Sequence, residues 1–402
     1  MSGQTLPSLT SNIAYLCLIF ALIVIPRALQ RFRLPAPLSS MALGMAAASL
    51  LGNGYHDATL ILLSTLGISS LFLFAGLEVD LENLKRGWLQ LLGHLLVRAA
   101  TLISVSWLTI RYAGYTWNIA LLLALALLTP STGFILESLP RLGLSDDERY
   151  WVGIKATGGE IMALLVVFLV LQSGSVVQLT ASSAAIIVMI FGMPIIFRWL
   201  MRLVVPYAPG SEFSLLVMVG LVAAYLTDKL GVHYLVGAFI AGFIARLLRR
   251  RMPRLASHEN LRAIQLFASF FVPFYFFDVG MGVPAAAMSW RALTLGVVLT
   301  AVALPARIAS VWLQRRIIHG ETRTASLKVA IALTPTLIFT LVLAAILHER
   351  FHISDALYGG LLVYAALSTL LPFLLLSKDA DFTLDVTEMA GNADSTAPKD
   401  TN

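Results

Sequence analysis

The chain has 402 residues, of which 58% are hydrophobic and 12% charged, and its mean hydropathy is +0.84. Soluble domains carry about 25% charged residues, so this composition excludes an ordinary water-soluble enzyme or binding module and predicts an all-α polytopic membrane protein. The net charge of +6 does not imply a nucleic-acid partner, because the Lys and Arg residues sit in short loops beside apolar segments, where they act as topology signals.

A single cysteine, Cys17, excludes an intramolecular disulfide and a thiolate metal cluster. The first ten residues carry no Lys or Arg, unlike the charged start of a cleavable signal peptide, so the first span is expected to remain in the mature protein.

Thirteen apolar segments are long enough to span a bilayer. In chain order they lie at about 11–30, 35–53, 58–79, 88–111, 115–139, 149–172, 178–202, 211–228, 231–248, 264–285, 291–315, 324–347 and 353–377. With the N-terminus outside, 20 basic residues fall on the cytoplasmic side, among them Arg27, Arg31, Lys85, Arg149, Arg202, the Arg246 to Arg262 cluster and Arg316, against Arg111, Lys229, Arg291 and Arg350 outside. The excess of Lys and Arg sets that orientation, in a cell inner (plasma) membrane, and an odd count places the C-terminus in the cytoplasm. Residues 1–378 thus read as one transmembrane domain. The segment 379–402 is polar and reads as a disordered cytoplasmic tail. With no soluble domain, the chain offers no place for an enzyme module or a cofactor site.

Two sequence similarities recur at a fixed offset. Leu71-Phe72-Leu73-Phe74-Ala75-Gly76-Leu77-Glu78-Val79 in the third span resembles Tyr275-Phe276-Phe277-Asp278-Val279-Gly280-Met281-Gly282-Val283 in the tenth, 204 residues on. Leu128-Thr129-Pro130-Ser131-Thr132 in the fifth resembles Leu333-Thr334-Pro335-Thr336-Leu337 in the twelfth, 205 residues on. This order predicts inverted structural repeats: repeat one at about 11–172, a linker helix at about 178–202, and repeat two at about 211–377. Proline removes a backbone donor and clashes with the preceding turn, so Pro130 and Pro335 are each expected to break a helix near the bilayer centre. Unwound backbone at that depth is tolerable only around a protein-lined cavity. The hydroxyls of Thr129, Ser131, Thr132 and Thr334 are then placed either to satisfy freed backbone groups or to ligate a cation.

Glu160 lies in the sixth span, about 16 Å from the end marked by Arg149 at 1.5 Å per residue, near the middle of the hydrocarbon core. A carboxylate at that depth loses several kcal/mol of hydration and is by default a functional group. Three basic residues are also intramembrane: Arg98, Lys155 and Arg307. Lys155 is one and a half turns from Glu160, a poor geometry for a direct pair, and is expected to snorkel or to meet another helix. In the ninth span, Gly237 with Ala241 and Ala238 with Gly242 permit close helix approach, which fits dimerisation and internal packing equally well. Asp278, toward the outer end of the tenth span, reads as a solvated helix-end carboxylate rather than a ligand. Glu78, Asp80 and Glu82, at the cytoplasmic end of the third span, read as solvated.

Taken together, Gly76-Leu77-Glu78, Thr129-Pro130-Ser131-Thr132, the carboxylate at Glu160, Gly237-Ala238-Phe239-Ile240-Ala241-Gly242 and Phe271-Val272-Pro273-Phe274-Tyr275-Phe276 to Gly280 resemble the monovalent cation/proton antiporters. The closer similarity is to the branch with bacterial sodium/proton exchangers and the membrane part of potassium-efflux antiporters. The resemblance covers the chain to about Ser377. It implies a dimerisation domain and a mobile core, a homodimer, and two discontinuous helices that cross beside the ion-binding carboxylate of the sixth span. The site residues it implies are Glu160 with Thr129, Ser131, Thr132 and Thr334.

In that family the sixth-span site is a dipeptide ending in Asp, preceded by Asp, Asn or Gln. Here it reads Gly159-Glu160, an acid one methylene longer with no polar neighbour. One-acid members tend to be electroneutral, which implies one-for-one exchange of Na+ or K+ for H+. Arg307 occupies the place of the family's eleventh-span base and is expected to pair with Glu160 when no ion is bound, with Arg98 on the repeat-related helix. The alternative that Gly159 motivates is a transport-inactive membrane sensor or scaffold that keeps the antiporter fold.

Overall fold

The computed structural model describes residues 9–51, 58–79, 82, 85, 87–318 and 320–376. The expected tail from Asp379 onward, and Asp80, lie outside the described residues. The described residues are mostly helical, with no strand among them. In order it forms α1 (Leu9–Leu29), α2 (Ala36–Leu51), α3 (Ala58–Leu77), α4 (Trp88–Ala113), α5 (Trp117–Leu128), α6 (Thr132–Ser138) and α7 (Asp146–Gln172). Next come α8 (Val176–Leu203), α9 (Glu212–Lys229), α10 (Tyr234–Leu247), α11 (His258–Met281), α12 (Trp290–Ile318), α13 (Arg323–Ala332), α14 (Leu337–Phe351) and α15 (Asp355–Leu376).

Among the described residues, nine helices or helix pairs are long and apolar enough to cross a membrane, and ten if α13 and α14, bent by 43° at their break, count as one span. The other three of the thirteen expected segments are the helices α2, α9 and α10, of 16, 18 and 14 residues.

The helix ends follow local chemistry. Ser145 opens α7 with a capping box: its Oγ accepts from the Glu148 amide at 3.3 Å while the Glu148 carboxylate accepts from the Ser145 amide at 2.8 Å. Asp146, Asp147 and Glu148 then place negative charge at the positive end of the helix. At the far end of α4, Gly114 adopts φ +70° and returns its N–H to Ile110 O, a left-handed cap that a side chain would strain.

The helices pack as two groups. In the first, α3 lies along both α10 and α11, α2 lies on α11, α9 on α10, and α1 on α2 and α11. In the second, α4 packs on α5 and α7, α14 crosses α5, α13 touches α7 and α12, and α15 joins α12 to α14. The groups meet where α3 touches α6, through a shared apolar core that includes Leu71, Phe72, Leu164, Ile338 and Phe339.

Glycines let the first group close. A Cβ at Gly76 would lie 2.2 Å from Phe239 O, and one at Gly242 2.0 Å from Leu73 O. In the same way a Cβ at Gly280 would meet Met41 O at 2.2 Å and one at Gly44 would meet Phe277 O at 2.0 Å. A Cβ at Gly237 would meet Ala223 O at 2.2 Å. The ninth-span glycines that sequence reading left open between dimerisation and internal packing are therefore buried within the chain's own helix packing, backbone against backbone.

Candidate ion-binding site

The site grows out of the two helix breaks. Residue 130 would have donated its N–H to Ala126 O, but a proline has none; the hydroxyl of Thr340, on α14, donates to that carbonyl instead at 2.6 Å. The next carbonyl, Leu127 O, accepts from the hydroxyl of Tyr364 on α15. Thr129 and Ser131 adopt extended backbone between α5 and α6. The Ser131 amide donates to Pro335 O at 2.9 Å, and the Phe339 amide donates to Ser131 Oγ at 3.2 Å. These bonds join the two breaks at their crossing.

The second break is satisfied in a parallel manner. Pro335 leaves Ile331 O without its usual donor, and Thr334 supplies both its N–H at 3.0 Å and its hydroxyl at 2.7 Å. Leu333 O and Thr334 O each accept from the Arg307 guanidinium at 2.9 Å, which also donates to Tyr364 Oη at 3.0 Å. Arg307 thus places positive charge at the C-terminal, partially negative end of α13.

Glu160 serves the opposite pole. Its side chain is 2% exposed, and Oε2 accepts from the Thr132 amide, the first N–H of α6, at 3.1 Å. The expectation that Arg307 pairs with Glu160 is not met, because the guanidinium is committed to backbone carbonyls. Ion pairs formed by the described residues include Arg149–Asp146, Arg250–Glu82, Arg315–Glu321 and His348–Asp355.

The structure divides the expected site residues between two pockets. Glu160, Ser131 and Thr132 line one depression with Leu71, Phe72 and Phe339, and it has no room for a water molecule. Pro130, Thr334, Arg307 and Arg98 line a separate cavity of about 60 Å³ between α4 and α12. Thr129 lines neither of these two, and its buried Oγ1 has no hydrogen-bond partner among the described residues. Thr334 Oγ1 also reaches Ser368 O at 3.1 Å, so Ser131 and Thr334 brace backbone while the Thr132 hydroxyl stands beside the carboxylate.

Sequence reasoning missed Thr340, Tyr364 and Ser368, whose side chains hold the crossing from α14 and α15. Their signal is visible in retrospect: Thr336 with Thr340, and Tyr364 with Ser368, are polar residues four apart in otherwise apolar helices. Lys155 is fully buried and does meet another helix, its Nζ 3.4 Å from Gln314 Oε1 on α12. His94 Nδ1 lies 3.0 Å from the same oxygen, so Gln314 holds both side chains. Asp278 is half-buried on α11.

Comparison with known proteins follows the same pattern. The chain is 24% identical over 383 residues to a Na(+)/H(+) antiporter of Enterococcus hirae, an alignment covering 90% of this chain and 97% of that protein. Its fold matches the structure of the sodium proton antiporter MjNhaP1 from Methanocaldococcus jannaschii at pH 8, with a TM-score of 0.66 over 91% of this chain and 96% of that one at 14% identity. A family model described as the transmembrane sodium/hydrogen exchanger matches residues 18–377. The chain therefore belongs to the sodium/hydrogen exchanger family, a multi-pass membrane protein of the Na+/H+ antiporter kind.

Proposed function

We propose that the protein exchanges a monovalent cation, Na+ or K+, for H+ one for one, using the single carboxylate of Glu160 as the shared site. The observation that carries this reading is a buried acid at the crossing of two interrupted helices, receiving one amide N–H and adjoined by the hydroxyl of the residue that donates it. A proton on the carboxylate removes the charge that attracts a cation, and a bound cation displaces the proton. Competition for one group couples the opposite fluxes, and one negative charge balances one cation or one proton. Hydroxyl, carbonyl and carboxylate oxygens suit a hard cation.

Access alternates as the second helix group, α4 to α7 with α12 to α15, moves against the first. That reading is supported by the way each group packs chiefly within itself, and by the closure of the Glu160 depression between Phe72 of one group and Phe339 of the other, whose rings stand 6.3 Å apart. The two groups would arise from inverted repeats at about 11–172 and 211–377 joined by α8. In support, Gly76 and Gly280, 204 residues apart, each press on a backbone carbonyl of a neighbouring helix, and Pro130 and Pro335 each interrupt a span. α8 leaves Val188 70% and Phe191 72% exposed, a surface suited to lipid and to a second protomer of a homodimer. The distribution of Lys and Arg supports a cytoplasmic membrane location with the N-terminus outside. The chemistry is transport; no enzymatic step is proposed.

The test is cation-induced collapse of an imposed pH gradient in proteoliposomes, titrating sodium, potassium and lithium against wild type and Glu160→Gln. Exchange by wild type and not by the variant supports the reading, and the responding ion names the substrate. A folded wild type silent with all three ions from about pH 6 to 9 would instead favour a transport-inactive sensor or scaffold, as the unusual Gly159 suggests.

A further inference from the structure

Gly159 has no side chain, yet the space one would occupy is filled. A Cβ built on Gly159 would stand 2.5 Å from Nη1 of Arg98, 3.0 Å from its Cζ and 3.6 Å from its Nε. The guanidinium, carried across from α4, therefore lies against the bare backbone of the residue next to Glu160. Arg98 is 9% exposed, and its Nε and Nη2 are buried without a hydrogen-bond partner among the described residues. Buried donors without acceptors are rare, and a buried guanidinium without its counterion is costlier still. Nothing in the architecture of the crossing uses Arg98, because the freed carbonyls there are served by Thr340, Tyr364, Thr334 and Arg307.

We infer that Arg98 replaces, from another helix, the polar side chain missing at position 159, and acts as a tethered cation that competes with the transported ion for Glu160. Gly159 is then the complement of Arg98: any side chain there would expel the guanidinium. The arrangement makes Arg98 a determinant of cation affinity. A fixed positive charge close to the carboxylate opposes a second one entering, so the site binds its ion weakly and releases it fast. The inference deepens the exchange reading and rests on Glu160 being the shared site.

Proteoliposome exchange with sodium separates a charge role from a packing role. Arg98→Met, which keeps the volume and removes the charge, is expected to lower the apparent KM for sodium about tenfold and to lower turnover with it. Arg98→Lys is expected to return KM toward the wild-type value, which a purely steric role would not require. Gly159→Asn is expected to lose at least tenfold in turnover, and Arg98→Ala combined with Gly159→Asn to recover most of it. An Arg98→Met variant with KM and turnover within twofold of wild type, or a Gly159→Asn variant as active as wild type, overturns the inference.

Silence of a folded wild type refutes the exchange reading instead, and melting temperatures then decide the matter for Arg98. Gly159→Ala is expected to lower the apparent Tm in the presence of Arg98 and to leave it unchanged in an Arg98→Ala background. Equal losses in both backgrounds overturn the inference.

Discussion

Arg307 offers a direct test of how the second helix break is held. Replacing it with Met keeps most of the side-chain volume and removes all donors, leaving Leu333 O, Thr334 O and Tyr364 Oη without the contacts they have at 2.9, 2.9 and 3.0 Å. Each buried acceptor left without a donor costs about 1–3 kcal/mol, and some of that loss is recovered by relaxation and by water entering the adjoining cavity, so the net expectation is about 3–5 kcal/mol. At about 2 °C per kcal/mol for a protein of this size, the apparent Tm in detergent at a fixed scan rate should fall by about 5–10 °C. Arg307→Lys, a point donor able to reach only part of this set, should lie between wild type and Arg307→Met. Purified protein at matched concentration, followed by intrinsic fluorescence, reads this without any transport assay. An Arg307→Met protein that melts within about 1 °C of wild type and loses exchange alone would refute the bracing role and restore an ion-pairing one.

Three further expectations follow from other contacts. Thr340→Val removes the hydroxyl that serves Ala126 O, the carbonyl orphaned by Pro130, and should cost about 1–3 kcal/mol; an unchanged denaturation midpoint counts against that assignment. Ser145→Ala breaks the capping box of α7 and should cost about 1 kcal/mol, read as a Tm drop of about 1–3 °C. No drop at all would mean that the acidic first turn suffices without the cap. Gly280→Ala drives a methyl toward Met41 O, whereas Gly174→Ala meets nothing within 4 Å. The first should cut the yield of folded protein several-fold and the second leave it unchanged; equal yields would refute backbone contact between α2 and α11.

Much of the site was readable from local chemistry. Hydropathy identified a membrane chain because burying an apolar run in lipid depends on composition alone, and nine or ten of the expected segments are long and apolar enough to span among the described residues. Pro130 and Pro335 announced two breaks because a missing N–H is a property of the residue itself. Glu160 stood out because a carboxylate at mid-span is costly wherever its neighbours are. For Lys155 the sequence leaves snorkelling and contact with another helix both open, and only the packed structure selects Gln314 of α12.

What the tertiary structure decided is which distant group answers each local demand. Ala126 O could have been served by many hydroxyls; that Thr340 does so, 214 residues away, depends on how α14 is rotated against α5. Arg307 was assigned to Glu160 by similarity of position, but the carbonyls exposed by the second break lie within reach and hold it instead. Gly159 read as a deficit because the residue beside it in sequence is all that a sequence displays. In space the deficit is filled by Arg98, an arrangement visible only once α4 is packed against α7. Periodicity and composition specify what each helix must bury or pair, while the rotation and contact of helices far apart in sequence select the partner.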